Sequence, residues 1–242
     1  MATSFAESVE RIYGSRPGYF LPHVGTHWSE PASDRLRVLA VGIASYWGEA
    51  ADKEDSGRAR AFGGWYREGK HRFFPKVRSR IERLVPAVAW SPAVAGRSFD
   101  PVESVYLTNA VKRYLPDNAV DESVAWGVFD GEAAHRDVWR DELRAMVDWD
   151  VVPHLMVIFS ARFWDSAWPV LHPEGPGPWK VAPGSFRWAG EQSPWRDRVN
   201  AARILTPSGF QPVLQVRLRH PRRPDDQDDL LVSAEFHRVA AL

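Results

Sequence analysis

The chain has 242 residues, 44% hydrophobic and 26% charged, with 31 Lys and Arg balanced by 31 Asp and Glu, so it can bury a full core and is not a disordered chain. No run reaches the ~18 apolar residues that cross a bilayer, and the first ten residues lack a basic, apolar export signal. Cysteine is absent, which removes disulfides, thiolate chemistry and Cys-ligated metal, and leaves a cytoplasmic protein with no membrane contact, metal or cofactor as the expectation.

Phe5, Val9 and Ile12 recur at helical spacing and predict a short amphipathic helix over Phe5–Tyr13. Residues 14–34, broken by Pro17, Pro22, Pro31 and by Gly14, Gly18 and Gly25, read as an extended leader. Leu36–Val41 is an apolar run that ends in Gly42. It reads as a buried parallel strand delivering the loop Gly42–Glu49 to the carboxyl edge of a sheet, where α/β folds bind ligands. The loop continues through Gly57, Gly63, Gly64 and Gly69, and a loop of that length is usually functional or mobile.

Phe74–Val85 carries Val77, Ile81 and Leu84 at helical spacing and stops at Pro86. A second strand is expected at Ser104–Thr108, ending on Asn109, and then a loop over 114–131 that opens with the turn Pro116-Asp117-Asn118. Ala134–Val147 reads as a helix and Pro153–Phe159 as a third strand, with Ser160 capping a helix to about Trp168. The Pro- and Gly-rich stretch 169–197 predicts no regular structure beyond short pieces. Ala201–Leu205 and Val213–Leu218 read as strands around Pro207-Ser208-Gly209, and Asp225 caps a last helix, Gln227–Ala240. Alternating strands and helices predict a three-layer α/β/α fold with a central, mainly parallel sheet of about four to five strands, in one domain.

Charge is segregated along the chain. Between Arg58 and Arg83 nine Lys and Arg face two acids, Glu68 and Glu82, and Arg217–Arg223 adds four Arg without an acid. A neutral chain arranged this way can still present one positive face. The twelve Trp are the compositional outlier, and Trp47, Trp65, Trp164, Trp168, Trp179, Trp188 and Trp195 fall in or near expected loops. There they either stack on ligands or plug the core beneath the loops. His23 and His27 flank Gly25 in the leader rather than sharing a helix face, so they do not read as a metal pair.

Three strand ends carry a resemblance: Gly42-Ile43-Ala44-Ser45-Tyr46, Leu107-Thr108-Asn109-Ala110-Val111-Lys112, and Arg219-His220-Pro221-Arg222-Arg223-Pro224. In order and spacing the chain resembles the uracil-DNA glycosylase superfamily, which has a Gly-led first loop, a Thr-Asn or Leu-Asn strand end and a late His-Pro loop. The resemblance spans roughly Arg35 to Pro224. The single domain then divides into the helix and leader over 1–34, the family-like core over 35–224 and the C-terminal helix over 225–242.

The resemblance implies a monomeric protein acting on damaged or single-stranded DNA, with a deaminated base of the uracil type flipped out of its stack into a pocket. Asn109, with one acceptor and two donors, would read the O4/N3 edge of such a base. Gly42 and Ser45 would shape the pocket, Tyr46 would exclude a methyl group at C5, and Phe74 (or its neighbour Phe73) would stack beneath the ring. His220 would donate to O2 as charge builds on the leaving base. Arg222, Arg223 and Lys112 would meet the DNA. The family's first loop commonly supplies an Asp, Asn or Glu, whereas this chain has Ile43 and Ala44 there. An acid from the following stretch, Glu49 or Asp52, is the expected substitute; otherwise the same pocket binds a base or nucleotide without cleaving it. No Cys set exists for the iron–sulfur cluster that some branches carry.

Overall fold

The computed structural model describes residues 4–14, 16, 19–30, 34–43, 45–46, 63–70, 73–115, 122–160, 177–188 and 199–218. The helices are α1 (Phe5–Gly14), α2 (63–68), α3 (Phe73–Ala87), α4 (Glu122–Gly131) and α5 (Ala133–Asp148). The strands are β1 (His23–Val24), β2 (Val38–Gly42), β3 (Ser45–Tyr46), β4 (Val105–Asn109), β5 (Tyr114–Leu115), β6 (Leu155–Ile158), β7 (Arg187–Trp188), β8 (Val199–Thr206) and β9 (Gly209–Arg217).

Seven strands form one sheet in the order β1-β4-β2-β6-β9-β8-β7, and β3 pairs with β5 in a separate two-stranded ribbon. The centre, β4-β2-β6-β9, is parallel; β1, β8 and β7 add antiparallel edges. Every residue of β2 is buried, as a central strand covered on both faces requires. Alternation sends Leu39 and Val41 to one face, against Phe5, Val9 and Tyr13 of α1 and Leu143 and Met146 of α5. Val38 and Ala40 face the other way, against Phe74, Val77, Ile81 and Leu84 of α3. The result is the expected three-layer α/β/α fold, although the sheet has seven strands rather than four to five, because the two-residue strands β1 and β7 extend its edges. Among the described residues no helix is long and apolar enough to cross a membrane.

Further readings change. The expected first loop holds the short helix α2 at 63–68. The expected loop over 114–131 holds the short strand β5 and the helix α4, whose Ala125 and Phe129 pack into the α1/α5 side of the core. One turn of buried spacing, interrupted by Gly127, is too brief a period to show in the sequence. The leader also does more than extend. Its β1 pairs antiparallel with β4, His23 opposite Leu107, and Phe20, His23, His27 and Trp28 are buried. Gly25 makes this possible: a Cβ there would lie 2.2 Å from the carbonyl oxygen of Glu103. The helix after Ser160 and the helix Gln227–Ala240 lie outside the described residues.

Candidate functional site

The four parallel strands end on one edge, at Asn109, Gly42, Ile158 and Arg217. Gly42 and Asn109 are register partners. Both are in phase with the residues that face α3, so they share a face with Phe74. The two residues also touch. A Cβ on Gly42 would sit 2.3 Å from Oδ1 of Asn109, so only glycine leaves room for that carboxamide. Asn109 is 2% exposed and Phe74 is 4% exposed. Phe74 meets the Tyr66 ring edge-on at 6.2 Å and Phe73 at 5.6 Å.

Beyond the strands the pairing continues. The Ala110 N–H donates to the Gly42 carbonyl (2.9 Å) and the Val111 N–H to the Ile43 carbonyl (2.8 Å). Ser45 and Tyr46 then run parallel to Tyr114 and Leu115. Residues 42, 43, 45 and 46 therefore run beside the chain that leaves Asn109. Ile43 is buried in the core on the α1/α5 side.

Glu49, Asp52, His220, Arg222 and Arg223 lie outside the described residues. The described chain ends at Leu218, whose N–H donates to the Ile158 carbonyl (2.9 Å).

Lys112 is a correction. Its side chain is fully buried and its ammonium contacts Glu142 Oε2 at 2.5 Å, so it has no surface to offer a phosphate. It also donates to Thr108 Oγ1 (2.8 Å) and lies 5.2 Å from the Trp139 ring centre. Oε1 of Glu142 accepts from Tyr13 (2.6 Å), Tyr106 (2.5 Å) and Thr108 (3.1 Å). Burial and the neighbouring carboxylate hold both tyrosines well above the usual phenol range. Burial pulls the Lys112 ammonium down and Glu142 opposes that pull. The signal for this network was Glu142 itself: it falls on the buried stripe of α5 with Val138, Trp139 and Met146, where a lone carboxylate needs a partner.

The next residue, Arg113, has a side chain that is 43% exposed and lies 2.5 Å from Glu132 Oε1. Glu132 Oε2 lies 3.0 Å from Nε2 of buried His135, whose Nδ1 accepts the Lys112 backbone N–H (3.2 Å) and whose ring stacks on Tyr19 at 5.3 Å.

The leader histidines are occupied in packing. His23 Nε2 donates to the Val102 carbonyl (2.8 Å), and His27 Nδ1 bonds Ser104 Oγ (2.9 Å). Trp179 plugs the core, its indole N–H donating to the Leu143 carbonyl (2.8 Å). Trp65 packs half-buried on the α3 side. Trp47, Trp164, Trp168 and Trp195 lie outside the described residues. Among the described residues no three His, Asp or Glu side chains gather as metal ligands.

Compared with protein-family models, curated proteins and solved structures, the chain matches none.

Proposed function

We propose that the carboxyl edge of the parallel sheet grips a base flipped out of DNA and that the protein hydrolyses the N-glycosidic bond of a deaminated, uracil-type base. The observation that carries this reading is the contact of Gly42 with Asn109. A buried carboxamide at the end of a central parallel strand, with a glycine beside it in place of a side chain, is suited to reading a planar donor–acceptor edge. Phe74 lies on the same face, packed in the core with 4% of its surface exposed, and would have to be uncovered to stack on a base; His220 follows Leu218 by two residues in the chain. In this reading His220 donates to the leaving base, Glu49 or Asp52 aids water, and Arg222 and Arg223 hold the DNA backbone. A cytoplasmic monomer belongs to the same proposal.

Ile43 favours a second reading, recognition without cleavage. The position that would bear a polar group in the first loop is an apolar side chain packed in the core, with its carbonyl bonded to Val111. Loss of a general base costs about 10²–10⁴ in rate.

One experiment separates the two. Single- and double-stranded oligonucleotides bearing uracil, hypoxanthine or xanthine are incubated with the protein and cleaved with alkali, and binding is followed by fluorescence anisotropy. Abasic sites that disappear in Asn109→Ala and His220→Ala support the hydrolase. Binding without abasic sites, weakened in Asn109→Ala, supports the recognition protein. Neither cleavage nor binding, or activity indifferent to Asn109→Ala, overturns the proposal.

A further inference from the structure

The network around Glu142 lies on the face of the sheet opposite Phe74, immediately behind Asn109. Thr108 and Lys112 bracket the segment that contains Asn109, and Lys112 Nζ closes it by donating to Thr108 Oγ1. Both bracketing residues then bond the same carboxylate, on α5, which also receives Tyr13 from α1 and Tyr106 from β4. Inside the bracket, the Ala110 and Val111 amides reach across to Gly42 and Ile43.

We propose that the Lys112–Glu142 pair is a positioning device: it clamps the strand end from behind and holds Asn109 in register against Gly42. Stability alone is a weak account of such a pair. Apolar side chains of similar volume generally serve a core as well as a buried ion pair or better, because desolvation offsets the Coulomb attraction. Fixed direction is what the charges add. Ammonium and carboxylate are each saturated by named partners: the ammonium meets Thr108, Glu142 and the Trp139 ring, and the carboxylate meets two phenols, one hydroxyl and the ammonium. A slip of segment 108–112 along β2 breaks several of these contacts at once. The function assigned to the pair rests on the reading of Asn109 as the group that grips the ligand; its mechanical part does not.

The test is the double variant Lys112→Met/Glu142→Gln, which removes both charges together, keeps an amide oxygen for the tyrosine hydroxyls and nearly conserves volume. Native-state hydrogen exchange reads the clamp. The expected result is exchange at Ala110 and Val111 faster by about tenfold or more relative to Leu39–Val41 in the centre of β2, with little change in thermal midpoint. A fluorescein-labelled uracil oligonucleotide reads the site, with its dissociation constant raised by about tenfold or more. Exchange at Ala110 and Val111 that is unchanged, or that rises by the same factor as in β2, overturns the proposal and leaves the pair merely structural. If the wild-type protein binds no oligonucleotide, the base-binding reading falls while the exchange comparison still decides the clamp. Should the double variant fail to fold, Thr108→Val removes only the bridging hydroxyl and is held to the same comparison.

Discussion

The tightest constraint on the site is a single missing methyl. Because a Cβ at Gly42 would lie 2.3 Å from Asn109 Oδ1, Gly42→Ala must displace that carboxamide, a short side chain with little freedom in a buried setting. The strand keeps its backbone bonds, since alanine adopts β dihedrals freely. Gly42→Ala is therefore expected to behave like Asn109→Ala: each loses about 1–3 kcal/mol of affinity for a uracil oligonucleotide, the size of an unmade hydrogen bond to a buried polar group. Anisotropy titration of both variants checks this, and a Gly42→Ala protein that binds like wild type removes the contact from the site. Glu142→Gln at the same scale keeps an oxygen for the Tyr13, Tyr106 and Thr108 hydroxyls but leaves Lys112 as an uncompensated buried cation. It is expected to cost about 3–5 kcal/mol of stability by urea unfolding, most of it recovered when Lys112→Met is added. The Gly42–Asn109 pair was legible in the sequence because both residues end apolar strands. The inward course of Lys112 was not, because it depends on a carboxylate thirty residues away on another element.

At the scale of elements, legibility followed the length of the periodic signal. β2, β4 and β6 are unbroken apolar runs, and α3 and α5 repeat their buried positions over several turns; all five were placed within one or two residues. The β8–β9 hairpin was found from its turn, although pairing runs to Thr206 opposite Gly209, closer to the turn than the apolar residues alone indicate. Two kinds of element escaped. Helix α4 buries little beyond Ala125 and Phe129, so its packing rather than its pattern defines it. Strand β1 is two residues long and includes a histidine, and its place depends on β4 offering an open edge. What the sequence does mark there is Gly25. Its backbone passes so close to Val102 and Glu103 that a methyl would meet carbonyl oxygens at 2.2 and 2.7 Å, with a rigid chain rather than a side chain in the way. Gly25→Ala is expected to lower stability by about 1–3 kcal/mol through this overpacking, and to loosen the leader first. Urea unfolding gives the magnitude, and faster exchange at the Gly25 and His27 amides, which bond the Val105 and Glu103 carbonyls, gives the location.

For the molecule as a whole, the buried histidines tie stability to pH. Burial holds His23 down to about 4 against a backbone carbonyl bond that favours the charged ring. Burial, reinforced by the Arg37 and Arg97 guanidiniums, holds His154 down to about 2. The geometry explains the second case. His154 Nδ1 accepts the Arg37 backbone N–H (3.0 Å), so a second ring proton, which would have to sit on Nδ1, collides with that donor, and the charged ring would lie 3.3 Å from the Arg37 guanidinium. Burial also lowers His135, with Glu132 opposing. In the unfolded chain each imidazole titrates near 6.5. Below that pH the unfolded state takes up protons that the native state refuses, so stability is full above about 6.5 and falls as the pH drops. The fall continues to about 4 for His23 and further for His154, at up to about 1.4 kcal/mol per pH unit for each histidine. The urea midpoint is therefore expected to drop steeply from pH 7 to pH 5. His23→Gln keeps an N–H donor for the Val102 carbonyl but cannot titrate, so it should flatten the slope by about one histidine's share while leaving the other contributions in place. A midpoint independent of pH over that range, or a slope unaltered in His23→Gln, contradicts the assignment.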